Sequence, residues 1–181
     1  MKKLFLYPLM LCIAFCFYGC EDNYSCIECE GLCCYKEFSP PMALNDEIEL
    51  DLDANGKNDV RIKNLNGAVE VKAISDRVQI TFGKSELSLP SSSRRYISIR
   101  KNSRLNFDWE WSKSMTTSQN NRIDIGEYIG VRFEGKDAYY FGWIEVSFNF
   151  PSYTDFKVHS MYLYKGVNNF VYAGVRNPDC N

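Results

Sequence analysis

From residue 47 onward the chain alternates apolar and polar residues with a period of two. Ile48, Leu50 and Leu52 fall on one side of an extended segment, and Glu47, Glu49, Asp51 and Asp53 on the other. That is the pattern of a half-buried strand. Val60 and Ile62 continue the apolar side after a turn. Asn66-Gly67 marks a tight hairpin into residues 68–74, where Val69 and Val71 alternate with Glu70 and Lys72. Short strands are predicted over 78–82, 87–89 and 96–100. In Phe107-Asp108-Trp109-Glu110-Trp111 three aromatics take one face of a further strand and two acids the other. Residues 112–121 read as a polar loop. The strongest hairpin comes late: Tyr128 to Glu134 and Ala138 to Phe148 flank Gly135-Lys136-Asp137. Segments 156–164 and 170–175 complete the chain. About eleven short strands at even spacing, with no convincing helix, predict an all-β, antiparallel β-sandwich of jelly-roll-like type.

The N-terminus follows a different rule. Lys2 and Lys3 precede an apolar stretch from Leu4 to Phe17, too short to span a bilayer, and Tyr18-Gly19-Cys20 closes it. This is the layout of a secretory signal. The Gly19-Cys20 ending resembles the lipobox of bacterial lipoproteins, with Phe17 where that family carries an aliphatic residue. The resemblance implies that Cys20 becomes the lipid-bearing first residue of the mature chain, anchored to a membrane without spanning it. An ordinary cleaved signal with Cys20 as a plain thiol is the alternative. Glu21, Asp22 and Asn23 follow at once; an acidic stretch there resembles the surface-export signal of lipoproteins in some Gram-negative bacteria, or is a solvated tether. The expected organisation is a signal over 1–19, a lipid-anchored Cys-rich tether and cap over 20–41, and the sandwich over 42–181. The expected address is the outer membrane or cell surface, with the periplasmic face as the other possibility.

Charge and cysteine content narrow the reading. The net charge is −2 and becomes about −4 once Lys2 and Lys3 leave with the signal, which gives no reason to expect nucleic acid. The basic run Arg94, Arg95, Arg100, Lys101 and Arg104 reads as a solvated face. The chain has 12 Tyr, 12 Phe and 3 Trp, residue types that suit pleated, half-buried surfaces. Of the eight cysteines, Cys12 and Cys16 leave with the signal and Cys20 takes lipid. Cys26, Cys29, Cys33, Cys34 and Cys180 remain. Outside the cytoplasm such cysteines pair, and an odd number leaves one thiol over unless Cys20 stays unmodified. Zinc is the alternative, but its ligands would crowd into nine residues, with only distant Cys180 to complete the set. Connectivity is open.

One segment has metal-ligand spacing: Asp51-Leu52-Asp53-Ala54-Asn55-Gly56-Lys57-Asn58-Asp59. Side-chain oxygens at Asp51, Asp53 and Asn55 leave one side of an extended segment. Gly56 permits a reversal that offers the Lys57 backbone carbonyl, and Asp59 closes the cage. A calcium ion wants such an oxygen shell, with a dissociation constant of about 10⁻⁴ to 10⁻³ M in extracellular modules. An EF-hand would need Glu where Ile62 stands. The plain alternative is an Asn-Gly hairpin with acids facing water, although three carboxylates so close repel one another unless neutralised. The calcium would be structural.

The same loop, with Tyr128-Ile129-Gly130-Val131-Arg132-Phe133 and Tyr139-Tyr140-Phe141-Gly142-Trp143-Ile144-Glu145-Val146 downstream, resembles a group of secreted Gram-negative β proteins. These pair such a loop with a Gly-x-x-Phe and Tyr-x-Gly-Trp hairpin. The resemblance implies the fold and carries no activity.

Catalytic candidates are poor. His159, the single histidine, lies on a predicted strand with no nucleophile beside it in sequence, so a Ser-His-Asp arrangement is not expected. Asp108 and Glu110 would sit about 7 Å apart on a strand, within the range of glycosidase carboxylates, but acids opposite an aromatic face are ordinarily its solvent side. Trp109 and Trp111 are expected in the core. Trp143 could stack on a sugar, and Gly142 beside it marks close approach by a ligand or by another strand. The expectation is a non-enzymatic envelope protein with a binding or structural role. Its partners would be the membrane through the anchor, and a glycan or an envelope protein. A carbohydrate-binding component of a surface glycan system is the alternative, and a jelly-roll glycoside hydrolase a more distant one.

Overall fold

The computed structural model describes residues 28–30, 33–85, 96–117, 125–136, 138–166 and 170–177. The expected signal, Cys20, Cys26, Cys180 and the strand expected at 87–89 lie outside the described residues. Fourteen strands are described, three more than expected. The first five are β1 (Glu28–Glu30), β2 (Cys33–Ala43), β3 (Glu47–Leu50), β4 (Val60–Asn64) and β5 (Val69–Ala73). Then come β6 (Val78–Thr81), β7 (Gly83–Ser85), β8 (Tyr96–Ser98), β9 (Arg104–Leu105) and β10 (Ser114–Thr116). The last four are β11 (Tyr128–Glu134), β12 (Tyr139–Asn149), β13 (Thr154–Tyr164) and β14 (Val171–Tyr172).

Every ladder is antiparallel. One sheet runs β1-β2-β13-β12-β11-β6 and a second runs β10-β5-β4-β3, while β14-β9 and β7-β8 form two small pairs. The two larger sheets make the predicted all-β sandwich. Ile48, Ile62 and Val71 of the smaller sheet share a core with Ile80, Val131, Ile144, Met161 and Leu163 of the larger one. The alternation read from sequence produces this directly. On the smaller sheet the polar set faces water, where Glu49 stands opposite Arg61 and the Arg61 Nη2 lies 2.6 Å from Glu49 Oε1. Asn66 and Gly67 both have positive φ (54° and 107°), as a two-residue turn of the mirror-image type requires.

The larger sheet is buried on both faces. Phe141, Gly142, Trp143 and Ile144 are consecutive buried residues of β12, so neighbouring side chains on opposite faces must both be covered. The face away from the sandwich carries Tyr128, Phe141, Trp143, Tyr162 and Tyr164, roofed by Ile99, Leu105, Trp109, Val171 and Ala173. Trp143 anchors this second layer, edge-on to Tyr128 at 5.5 Å and tilted against Tyr162 at 5.5 Å. Each ring buried there contributes about 4–6 kcal/mol as an upper bound.

Three segments depart from expectation. Residues 33–41, read as part of a cap, form most of β2 inside the larger sheet, beside β13. Pro40 and Pro41 stand at the end of the expected cap. They fall instead where the ladder is interrupted, between the Ser160–Glu37 and Val158–Met42 pairs, and a bulge tolerates residues without an N–H donor. The expected polar loop at 112–121 contains β10, paired with β5. Its small hydroxyl residues suit a short edge strand, and the Thr117 hydroxyl accepts a bond from the Val69 N–H at 2.9 Å.

The segment 107–111 is a turn and not a strand. The Asn106 side chain accepts from the Asp108 N–H at 3.1 Å, a local bond that competes with a ladder. The indole of Trp109 donates to the Arg104 carbonyl at 2.6 Å and that of Trp111 to the Asn106 carbonyl at 3.0 Å. The three aromatics therefore do not share one face. Trp109 is buried, while Phe107 is 46% exposed. The strand spacing assumed for Asp108 and Glu110 falls with it.

Gly142 is explained by the neighbouring strand. A Cβ there would run into the Tyr162 carbonyl oxygen and crowd the Val131 side chain. Gly142→Ala should therefore cost about 1–3 kcal/mol or more, as overpacking against backbone does. A urea unfolding curve with a lowered midpoint and unchanged slope would show it.

Candidate metal centre

The acidic segment closes the β3–β4 hairpin. Leu50 pairs with Val60, and the Asp59 N–H donates to the Leu50 carbonyl at 2.8 Å, so the nine residues between them must double back. Ala54 and Gly56 do so with φ of 59° and 82°. Leu52 is fully buried in the sandwich core and fixes the loop from below.

This path brings the three predicted aspartates together. One carboxylate oxygen from each of Asp51, Asp53 and Asp59 lies within 4.8 Å of the others. Two oxygens on one calcium ion, each at about 2.3–2.6 Å from it, can be no more than about 5 Å apart. The spacing and the all-oxygen donor set thus fit the ion. The Asn55 side-chain oxygen accepts the Lys57 N–H at 2.9 Å within the same loop.

The loop amides partly offset the negative charge. Asp51 accepts from the Gly56 N–H at 2.7 Å and from the Asn55 N–H at 3.2 Å, and Asp53 accepts from the same Asn55 N–H at 3.2 Å. Asp59 is the strained member. It is 3% exposed and accepts from the Leu52 N–H at 2.9 Å and from the Asp53 backbone. Burial, with the Asp53 and Asp51 charges adding to it, raises its pKa from 3.8 to about 6 despite the Leu52 bond. The loop is also tied to the larger sheet. Lys165, just past β13, donates to the Asp53 carbonyl at 3.1 Å, and Cys34 Sγ of β2 lies 3.7 Å from the same oxygen. Neither contact had a signal in the sequence, because both partners come from distant segments.

His159 acquires a neighbour that sequence order hid: the Ser147 hydroxyl lies 2.7 Å from its Nε2 across β12 and β13. The pair is on the exposed side, and among the described residues no carboxylate bonds the ring. Beside it, Glu145 accepts from the Ser160 hydroxyl at 2.5 Å and from Tyr128 at 3.4 Å. Burial first and the Glu145 charge second push the Tyr128 pKa up to about 12. Trp143, a candidate for sugar stacking, is 3% exposed and belongs to the aromatic layer. Asp108 accepts from the Asn106 side chain at 3.0 Å within the turn described above.

The Asp59 shift fixes a pH dependence. Its folded pKa lies above its unfolded value, so between about pH 4 and 6 the folded chain holds a proton that the unfolded chain has lost. In calcium-free buffer, stability should fall as pH rises through that window, by on the order of 1–2 kcal/mol once solvent screening over the loop is allowed for. Asp59→Asn should flatten this part of the profile. Urea midpoints measured from pH 4 to 7 would show both.

No protein-family model, no curated protein and no solved structure matches the chain, so the functional reading rests on its own residues.

Proposed function

We propose that the chain is a lipid-anchored cell-envelope protein whose β-sandwich has a noncatalytic binding or structural role, stabilised by calcium and disulfides. The observation that carries the calcium part is the convergence of Asp51, Asp53 and Asp59, with Asp59 buried among like charges. A cation of calcium size would turn that repulsion into attraction. It would also fix a loop that touches both β2 and the end of β13, so its role is to brace the sandwich. Disulfides are supported by Cys33 and Cys34, which are buried and are not free thiols. The anchor is supported by Gly19-Cys20 behind the apolar leader. The outer membrane or cell surface is the address that these features fit.

The carbohydrate-binding reading is favoured by a different observation. Phe107 and Tyr172 are exposed on the aromatic layer (46% and 44%), and flat rings in water are the groups that stack on sugars. This moves the sugar reading from Trp143 to the rim of the layer.

Two measurements test the proposal. Asp53→Ala should lower the melting temperature by several degrees in millimolar calcium, about 1 kcal/mol or more, and change it little in EDTA. An equal loss in both would leave an ordinary turn. Cys20→Ser should shift the protein from the detergent phase to the aqueous phase on Triton X-114 partitioning. An unchanged distribution would remove the anchor.

A further inference from the structure

Arg132 is the most unusual charge outside the acidic loop. It lies in the middle of β11, opposite Gln79 on β6 and Phe141 on β12, with its side chain on the aromatic layer. Its guanidinium lies near two rings, 5.0 Å from the Trp111 centroid and 4.9 Å from that of Tyr139. The Nε donates to the Gln79 side-chain oxygen at 2.6 Å. Among the described residues that is its one hydrogen-bond partner, and no carboxylate pairs with it. Burial lowers its pKa, and Tyr139 and then Glu134, on the same strand, oppose the shift. Asp108 and Glu110 lie in the adjoining turn and are exposed.

The neighbourhood repeats the theme. Lys84 rests on Trp109 at 5.5 Å, Arg104 on Phe170 at 4.1 Å and Arg176 on Tyr35 at 3.2 Å. The ion pairs among the described residues involve Arg61 and Lys157 instead. A chain of net negative charge thus sets these cations against rings, and among the described residues none of the four is in an ion pair. A guanidinium packed near two rings, with Nε already occupied, is pre-organised to offer its two remaining nitrogens as a fork to a carboxylate. Phe107, edge-on to Tyr139 at 5.4 Å and to Phe141 at 5.2 Å and half exposed, supplies an apolar surface beside the fork.

From this juxtaposition we infer that Arg132, with Gln79, Trp111, Tyr139 and Phe107, is a binding site for a carboxylate carried on a sugar ring, as in an acidic glycan. The carboxylate bonds the free edge of Arg132 and the ring face lies on the exposed aromatics. The inference rests on the noncatalytic-binding reading above and names its ligand class.

The test is native affinity electrophoresis of the full chain in detergent, with EDTA present so that calcium cannot bridge polymer and protein. Gels contain polygalacturonate, its carboxyl-reduced neutral counterpart, or dextran sulfate. The expected result is retardation by polygalacturonate, with the reduced polymer at least about tenfold weaker. Arg132→Lys, which keeps the charge and loses the fork, should weaken retention about tenfold. Phe107→Ser, at a half-exposed position, should weaken it severalfold while the chain still folds with a melting temperature lowered by no more than a few degrees, and carries the test if Arg132→Lys fails to fold. Absence of retardation, retention unaffected by either variant, or equal retention by dextran sulfate would overturn the inference. Retention of the neutral polymer alone would also overturn it while leaving the binding reading standing. Failure of the envelope reading itself would appear instead in the partitioning of Cys20→Ser.

Discussion

Four consecutive buried residues in an extended strand set the terms for the whole molecule. Successive side chains of β12 point to opposite faces, so Phe141 and Trp143 need cover on one side while Ile144 and the close-packed Gly142 need it on the other. A single partner sheet can bury only one of those faces. The smaller sheet covers Ile144, and the irregular segments around Ile99, Leu105, Trp109 and Val171 cover Phe141 and Trp143. Short ladders such as β9–β14 make sense in this light. They are too small to stand alone and are held by the aromatic layer they roof.

What could be read from the sequence followed what was periodic. The hairpin at Tyr128–Glu134 and the strands around Ile48, Ile62 and Val71 alternate cleanly, and the structure has them there. The three aspartates were also legible, because their spacing is local and loop geometry alone brings them together. The errors arose where local and distant forces compete. Phe107 to Trp111 alternates like a strand, yet an Asn106 turn and two indole N–H groups seeking carbonyls bend it away from a ladder. Residues 33–43 carry prolines that argue against a strand, yet a bulge beside β13 absorbs them. Arg132 gave no local signal. Its environment is assembled from β6, β12 and the turn at Trp111, which no window of sequence contains.

The two sites differ in sign and in how their charge is met. The acidic loop concentrates carboxylates that amides of the same loop only partly satisfy, and Asp59 answers by holding its proton more tightly. The aromatic layer gathers guanidinium and ammonium groups against its rings. A cation would fit the first and a carboxylate the second. The Asp53 carbonyl meets Cys34 of β2 and Lys165 just past β13, and the same two strands carry Tyr35 and Tyr162 in the second layer.

The dependence of the fold on its second layer is tested most directly by exchange of the tryptophan indole protons. Trp109 and Trp143 each donate an indole hydrogen to a backbone carbonyl inside that layer. In a nuclear magnetic resonance hydrogen-exchange experiment, both indole protons should persist alongside the amides of β11 to β13 and be lost with them in one unfolding event. Indole exchange within minutes while those amides stay protected would contradict the account, because the aromatic layer would then be a loose cover and not half of the core.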